Sequence, residues 1–180
     1  MINILSDAGS LFLLWLFVLA GAHKLQPANT QYYKQVIGTY GFERLADTRG
    51  FLFALGFSEL AAGIAIALPS SRMLGAAMIC IFLTGYLALI AAQLLQGRKD
   101  LDCGCAGPLG GTKVGKELLV RNALLLGMAM FCLFNSSSAF ANTEAWSLII
   151  PLSLLTVICY LCSEQLIANA QNLKKLPGRS

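Results

Sequence analysis

The chain has 180 residues, of which 57% are hydrophobic and only 12% charged, with a net charge of +4 and a mean hydropathy of +0.68. Soluble domains carry about a quarter of their residues as charges, so this chain lacks the polar surface to coat a soluble globule of 19.3 kDa. That argues against a soluble enzyme and for a small polytopic membrane protein, in which helices satisfy the backbone internally.

A bilayer core of about 30 Å needs roughly 20 apolar residues per helix. The first span expected on this ground is 8–25, which ends at the His23-Lys24 pair and is stopped by Pro27. It occupies the place of a cleaved signal peptide. Its basic residues follow the apolar run rather than precede it, however, and no small-x-small site precedes a soluble domain, so a retained helix is expected. Between Pro27 and Arg49, Tyr33, Ile37 and Tyr40 recur at helical spacing with Lys34 and Gln35 among them. Tyrosines and basic residues belong at headgroup level, which suggests a short interfacial helix, with an ordinary loop as the alternative.

The second span, 51–68, is interrupted only by Glu59 and ends at Pro69, and the third, 73–96, carries no charge at all. The fourth, 118–135, holds Arg121 one turn inside its start, and the fifth, 145–167, contains Pro151 and Glu164. The expected fold is therefore an all-α integral membrane protein. It is a single domain over 1–180, a bundle of four to five transmembrane helices with a short interfacial helix after the first span.

Cytoplasmic loops hold the excess of Lys and Arg. With five spans, twelve of the thirteen such residues fall on one side and Arg72 alone on the other. This places the N-terminus outside and the C-terminus in the cytoplasm. The positive charge then answers to topology and to anionic lipid, and a nucleic-acid partner is not expected.

Of the six cysteines, Cys103 and Cys105 lie in the loop after the third span, within Leu101-Asp102-Cys103-Gly104-Cys105-Ala106-Gly107-Pro108. A disulfide between cysteines two apart closes a small ring, for which Gly104 supplies a permissive backbone. A bond so constrained is easily reduced and suits exchange better than stapling. Lys99, Lys113 and Lys116 favour the thiolate there, and Asp102 opposes it. Two other readings stand beside redox chemistry. One is a metal site, for which two thiolates fall short of the usual four ligands; the other is an unreactive loop pair. Cys159 and Cys162 are spaced i, i+3 on one helix face near the cytoplasmic end of the fifth span. They form either a second dithiol or plain packing. Cys80 and Cys132, in the outer halves of the third and fourth spans, read as small apolar filler.

Glu59 lies near mid-depth of its span on the cytoplasmic half. An intramembrane carboxylate is costly and needs a partner or a function. Lys24 and Arg121 are the cations able to pair with it; the alternative is a protonated Glu59 that takes part in proton transfer. His23, at a helix end, reads as an interfacial residue rather than a ligand.

Four strings together resemble the methylamine-utilisation protein MauE family of DoxX-like membrane proteins. They are Gly21-Ala22-His23-Lys24-Leu25, Ser58-Glu59-Leu60, Leu101-Asp102-Cys103-Gly104-Cys105 and Val120-Arg121-Asn122. The Asp-Cys-Gly-Cys string is the most specific of them. The resemblance implies an inner-membrane protein needed for processing, transport or maturation of the methylamine dehydrogenase β subunit, a disulfide-rich periplasmic quinoprotein subunit. It implies a thioredoxin-like partner, MauD. On this sequence it points to Cys103 and Cys105 as the redox pair, with Glu59, His23 and Arg121 at family positions. Disulfides form in the periplasm, whereas the charge count puts Cys103 and Cys105 on the cytoplasmic side. Either the count holds and the pair passes cytoplasmic electrons outward through another dithiol, or the count misleads and the pair accepts electrons from the periplasmic partner and hands them to quinone. A non-catalytic scaffold or translocation aid for the subunit is the alternative class.

Overall fold

The computed structural model describes residues 1–39, 49–97, 115–135 and 143–173. Within them the chain forms α1 (Ile2–Leu25), a 3-10 turn at Pro27–Asn29, α2 (Thr30–Thr39), α3 (Arg49–Ala67), α4 (Arg72–Leu95), α5 (Lys116–Phe134) and α6 (Thr143–Leu173). The described residues contain no strand. Five of the helices, all but α2, are long and apolar enough to cross a membrane, and they are the five expected spans. The expected short helix after the first span is present as α2.

Helix ends follow local chemistry. Gln26, held extended at φ −68° and ψ 124°, ends α1 just before Pro27, as the steric demand of a following proline requires. After α4 the backbone turns at Gly97 with φ +74°, a conformation that glycine alone adopts without strain. At the other end of α1 the sequence expectation needs correcting. The helix starts at Ile2 rather than Ala8, because Asp7 does not mark a water boundary; it is fully buried and ion-paired with Arg72 at the start of α4.

The central helix is α1, which packs against α3, α5 and α6, while α4 bridges α3 and α5. The core at this crossing contains Phe12, Leu13 and Phe17 of α1, Ala62 and Ile66 of α3, Ile79 and Leu83 of α4, and Leu125 and Ala129 of α5. Apolar burial gives helices little reason to associate in lipid, so close backbone contact at small residues must do so. A Cβ on Gly21 would stand 2.6 Å from the Gly56 carbonyl oxygen, and one on Gly75 would stand 2.3 Å from the Ile66 nitrogen. The α1/α3 and α3/α4 contacts are thus backbone to backbone. By contrast α6 is the least buried span and presents Leu154, Leu155, Ile158 and Leu161 outward, the face expected of a helix in contact with lipid.

Because α1 and α4 share an end at the Asp7–Arg72 pair, the opposite end gathers the C-termini of α1 and α4 with the N-terminal turns of α3 and α5. The end of α4 and the start of α5, which residues 98–114 connect in the chain, both lie at that second end.

Candidate functional site

Four helices contribute the charges of two ion pairs toward the second end. Lys24, in the last turn of α1, lies level with the glycine contact between α1 and α3, and its Nζ donates to Glu59 Oε2 at 2.7 Å. Glu59 is completely buried. Its other oxygen, Oε1, accepts from the Tyr86 hydroxyl of α4. Both carboxyl oxygens of Glu59 thus have a hydrogen-bond partner within the bundle. The Lys24 ammonium also sits 5.6 Å from the ring centroids of both Tyr33 and Tyr86, a placement that adds cation–π attraction. Tyr33 is buried, so this contact ties the short helix α2 to the bundle.

A second ion pair stands beside the first. Arg121 of α5 pairs with Glu164 of α6, Tyr160 donates its hydroxyl to Glu164 Oε1 at 3.2 Å, and the Arg121 guanidinium lies 5.5 Å from the Tyr160 ring centroid. Of the two cations the sequence offered to Glu59, Lys24 takes it and Arg121 goes to α6. Between the two pairs is a cavity of about 40 Å³ whose polar lining is Lys24, Glu59, Tyr86, Arg121, Asn122 and Tyr160. That space is large enough for one or two waters. Chemically, two basic side chains pair with two acidic ones, and each acidic side chain also accepts from a tyrosine hydroxyl.

His23 lies outside this cavity. Asn29 Nδ2 reaches its carbonyl oxygen at 3.0 Å and its ring Nδ1 at 3.4 Å, a contact that fastens the turn after α1. Cys159 and Cys162 are both exposed on the outward face of α6, on the other side of that helix from Tyr160 and Glu164. Cys103 and Cys105 lie outside the described residues.

A further cluster, which the sequence reading did not anticipate, occupies the first end. Arg72 pairs with Asp7 and donates from Nη2 to Ser6 Oγ at 3.0 Å and Ser10 Oγ at 2.8 Å. The Cys132 thiol donates to the Ser6 carbonyl at 3.5 Å, and the Ser6 hydroxyl donates to the Asn135 carbonyl at 2.9 Å. All of Ser6, Asp7, Ser10, Arg72 and Cys132 are buried. The signal available in the sequence was Arg72 itself, the lone cation on its side. Tyr86 and Tyr160 also went unnoticed, since an isolated tyrosine in an apolar helix has no pattern that announces a buried hydroxyl contact.

The sequence profile of the family described as Methylamine utilisation protein MauE matches residues 2–135. Methylamine utilization protein MauE of Methylophilus methylotrophus is 32% identical over 88 residues, a segment that covers 46% of this chain and 46% of that relative. The matched segment thus spans about half the length of the relative. No solved structure matches the chain. A family match that runs from the start of α1 to the residue after α5 makes this multi-pass membrane chain a member of the MauE family of methylamine utilisation proteins.

Proposed function

We propose that the protein serves methylamine utilisation as an inner-membrane thiol–disulfide exchange factor, which acts through Cys103 and Cys105 in maturation of the methylamine dehydrogenase β subunit. The observation that carries this reading is the Asp102-Cys103-Gly104-Cys105 string inside the family-matched residues. Two thiols separated by one glycine form a ring that opens readily to an attacking thiolate. The partner in exchange is a thioredoxin-like protein of the MauD type, whose own dithiol is the natural acceptor or donor of the disulfide.

The bundle supports this role as a scaffold for the loop. Both anchor points of residues 98–114 sit on helices, α4 and α5, that are locked to α1 and α3 by Tyr86 and by the core. Those two helices also carry Tyr86, which meets the Lys24–Glu59 pair, and Arg121 of the Arg121–Glu164 pair. Cys159 and Cys162, outward on α6, form the second candidate dithiol and would meet a partner at the helix surface rather than within the bundle.

The test is a Cys103→Ser/Cys105→Ser double variant in a host that assembles methylamine dehydrogenase. The expected result is loss of active dehydrogenase while the membrane protein accumulates as in wild type. Dehydrogenase at the wild-type level in that strain would overturn the proposal.

A further inference from the structure

The long helices are not held equally. Helices α1, α3 and α4 meet backbone to backbone at Gly21, Gly56 and Gly75, whereas α6 is the least buried span and, among the described helices, packs closely on α1 alone. Side chains bridge the gap from α6 to α5. Glu164 pairs with Arg121, and the Tyr160 ring lies beside the Arg121 guanidinium. The far end of α6 reaches the start of α5, where Gln171 Nε2 stands 3.4 Å from the position a Cβ would take on Gly115. The later part of α6 therefore runs along α5 to the second end, joined to it by polar groups.

Within α6 the two parts differ. The first is anchored, with Ala145 and Ile149 buried against Ala8 of α1. Pro151 follows in the helix interior, where it cannot donate to the carbonyl four residues back and its ring crowds that carbonyl, so a helix bends there readily. Beyond Pro151, Tyr160 turns inward, its ring centroid 5.6 Å from that of Phe12 and 6.2 Å from that of Trp15. Tyr160 is also the residue of α6 that lines the cavity of Lys24, Glu59, Tyr86, Arg121 and Asn122. Arg121 lies five residues, about 7.5 Å, inside the start of α5. A long arginine side chain at that depth can extend to interfacial water, and the Glu164 side chain is already 17% exposed. Parting this pair therefore strands neither charge, in contrast to the fully buried Glu59.

We propose that α6 beyond Pro151 is a gate that admits water and small aqueous solutes from the second end to the cavity at Glu59. Pro151 is the hinge, and the Arg121–Glu164 pair with Tyr160 is the latch. Hinged closure over a polar site is a common device of this kind, and the arrangement described here is the closed position. Opening withdraws Tyr160 from the cavity wall and leaves Lys24, Glu59 and Tyr86 in place, because these belong to α1, α3 and α4, which the glycine contacts hold together. The gate stands apart from Cys103 and Cys105 and does not depend on their role.

The experiment uses the full chain in liposomes, with Cys132 replaced by Ala and the other five cysteines by Ser, and with spin labels on introduced cysteine pairs. Val120→Cys/Leu166→Cys spans α5 and α6 toward the second end and Phe134→Cys/Leu148→Cys spans them toward the first; all four positions are exposed. Tyr160→Phe/Glu164→Gln removes the latch. Double electron–electron resonance should then show an added, longer distance for the first pair and an unchanged distance for the second. Adding Pro151→Ala should remove the longer distance. Unchanged distances at both pairs, in unlatched protein that keeps its helical circular dichroism, would overturn the gate. Lengthening at both would overturn the hinge, because α6 would then leave as a whole. Access is read separately with Leu125→Cys as the one introduced cysteine, at a buried position on the cavity. Unlatching should speed its alkylation by iodoacetamide about tenfold, since access tracks the population of the open state, and Pro151→Ala should reverse the gain. Equal rates would overturn the cavity as the space that the gate controls.

Discussion

Removing the Lys24 ammonium while Glu59 stays leaves a fully buried carboxylate among apolar helices, with the Tyr86 hydroxyl still in contact. Stranding a buried charge in this way costs about 3–5 kcal/mol. Lys24→Met should therefore destabilise strongly, and Lys24→Met/Glu59→Leu should recover most of the loss, because no charge is then left unmet. Denaturant unfolding in detergent, read as a double-mutant cycle, checks both. Arg121→Leu should cost less than Lys24→Met, since the Glu164 side chain retains 17% of its exposure and can be partly hydrated. At this scale the sequence made Glu59 and its candidate cations visible, because a carboxylate in an apolar span demands an explanation. It did not say which cation pairs with it. That choice depends on how closely α1 and α3 approach at Gly21 and Gly56, a property of two backbones far apart in the chain.

At the level of helices, the contacts between backbones give a sharp contrast among glycines. Gly21→Ala and Gly75→Ala place a Cβ within 3 Å of backbone atoms of α3, and such overpacking costs about 1–3 kcal/mol. Gly85→Ala and Gly127→Ala meet nothing within 4 Å and should leave the midpoint of thermal unfolding in detergent unchanged or slightly raised, in keeping with the better helix propensity of Ala. A uniform loss across all four would contradict the packing described. On α2, Tyr33→Ala removes one of the two rings beside Lys24 and should release that helix, seen as faster proteolysis within residues 30–39 while the five long helices stay resistant. The long helices were legible because charge-free runs and prolines bound them. The start of α1 was not, because Asp7 reads as a boundary until its partner, 65 residues away, is known. The pair of tyrosines that brace the charges was hidden for the same reason.

For the whole molecule, the two ends of the bundle carry different polar clusters: Asp7–Arg72 with two serines and Cys132 at one, and two ion pairs around a small cavity at the other. The second end is also where α4 ends and α5 begins, and from the distribution of Lys and Arg we propose that it faces the cytoplasm. A membrane-impermeant maleimide should accordingly label Cys103 and Cys105 in inverted vesicles and not in intact cells. The reverse pattern would put the pair in direct reach of a periplasmic client. The Cys-Gly-Cys loop was plain in the sequence as a chemical motif, whereas its side follows only from counting charges.

The most direct test of the central claim, that Cys103 and Cys105 exchange disulfides with a thioredoxin-like partner, is trapping with one member of the pair removed. In cells that carry Cys105→Ser, the resolving thiol is gone and the intermediate cannot collapse. The account predicts a mixed disulfide between Cys103 and the partner, visible as a high-mass band that disappears on reduction and is missing in the Cys103→Ser/Cys105→Ser strain. A Cys105→Ser protein recovered with Cys103 wholly unlinked, in cells where dehydrogenase assembly proceeds, would contradict it.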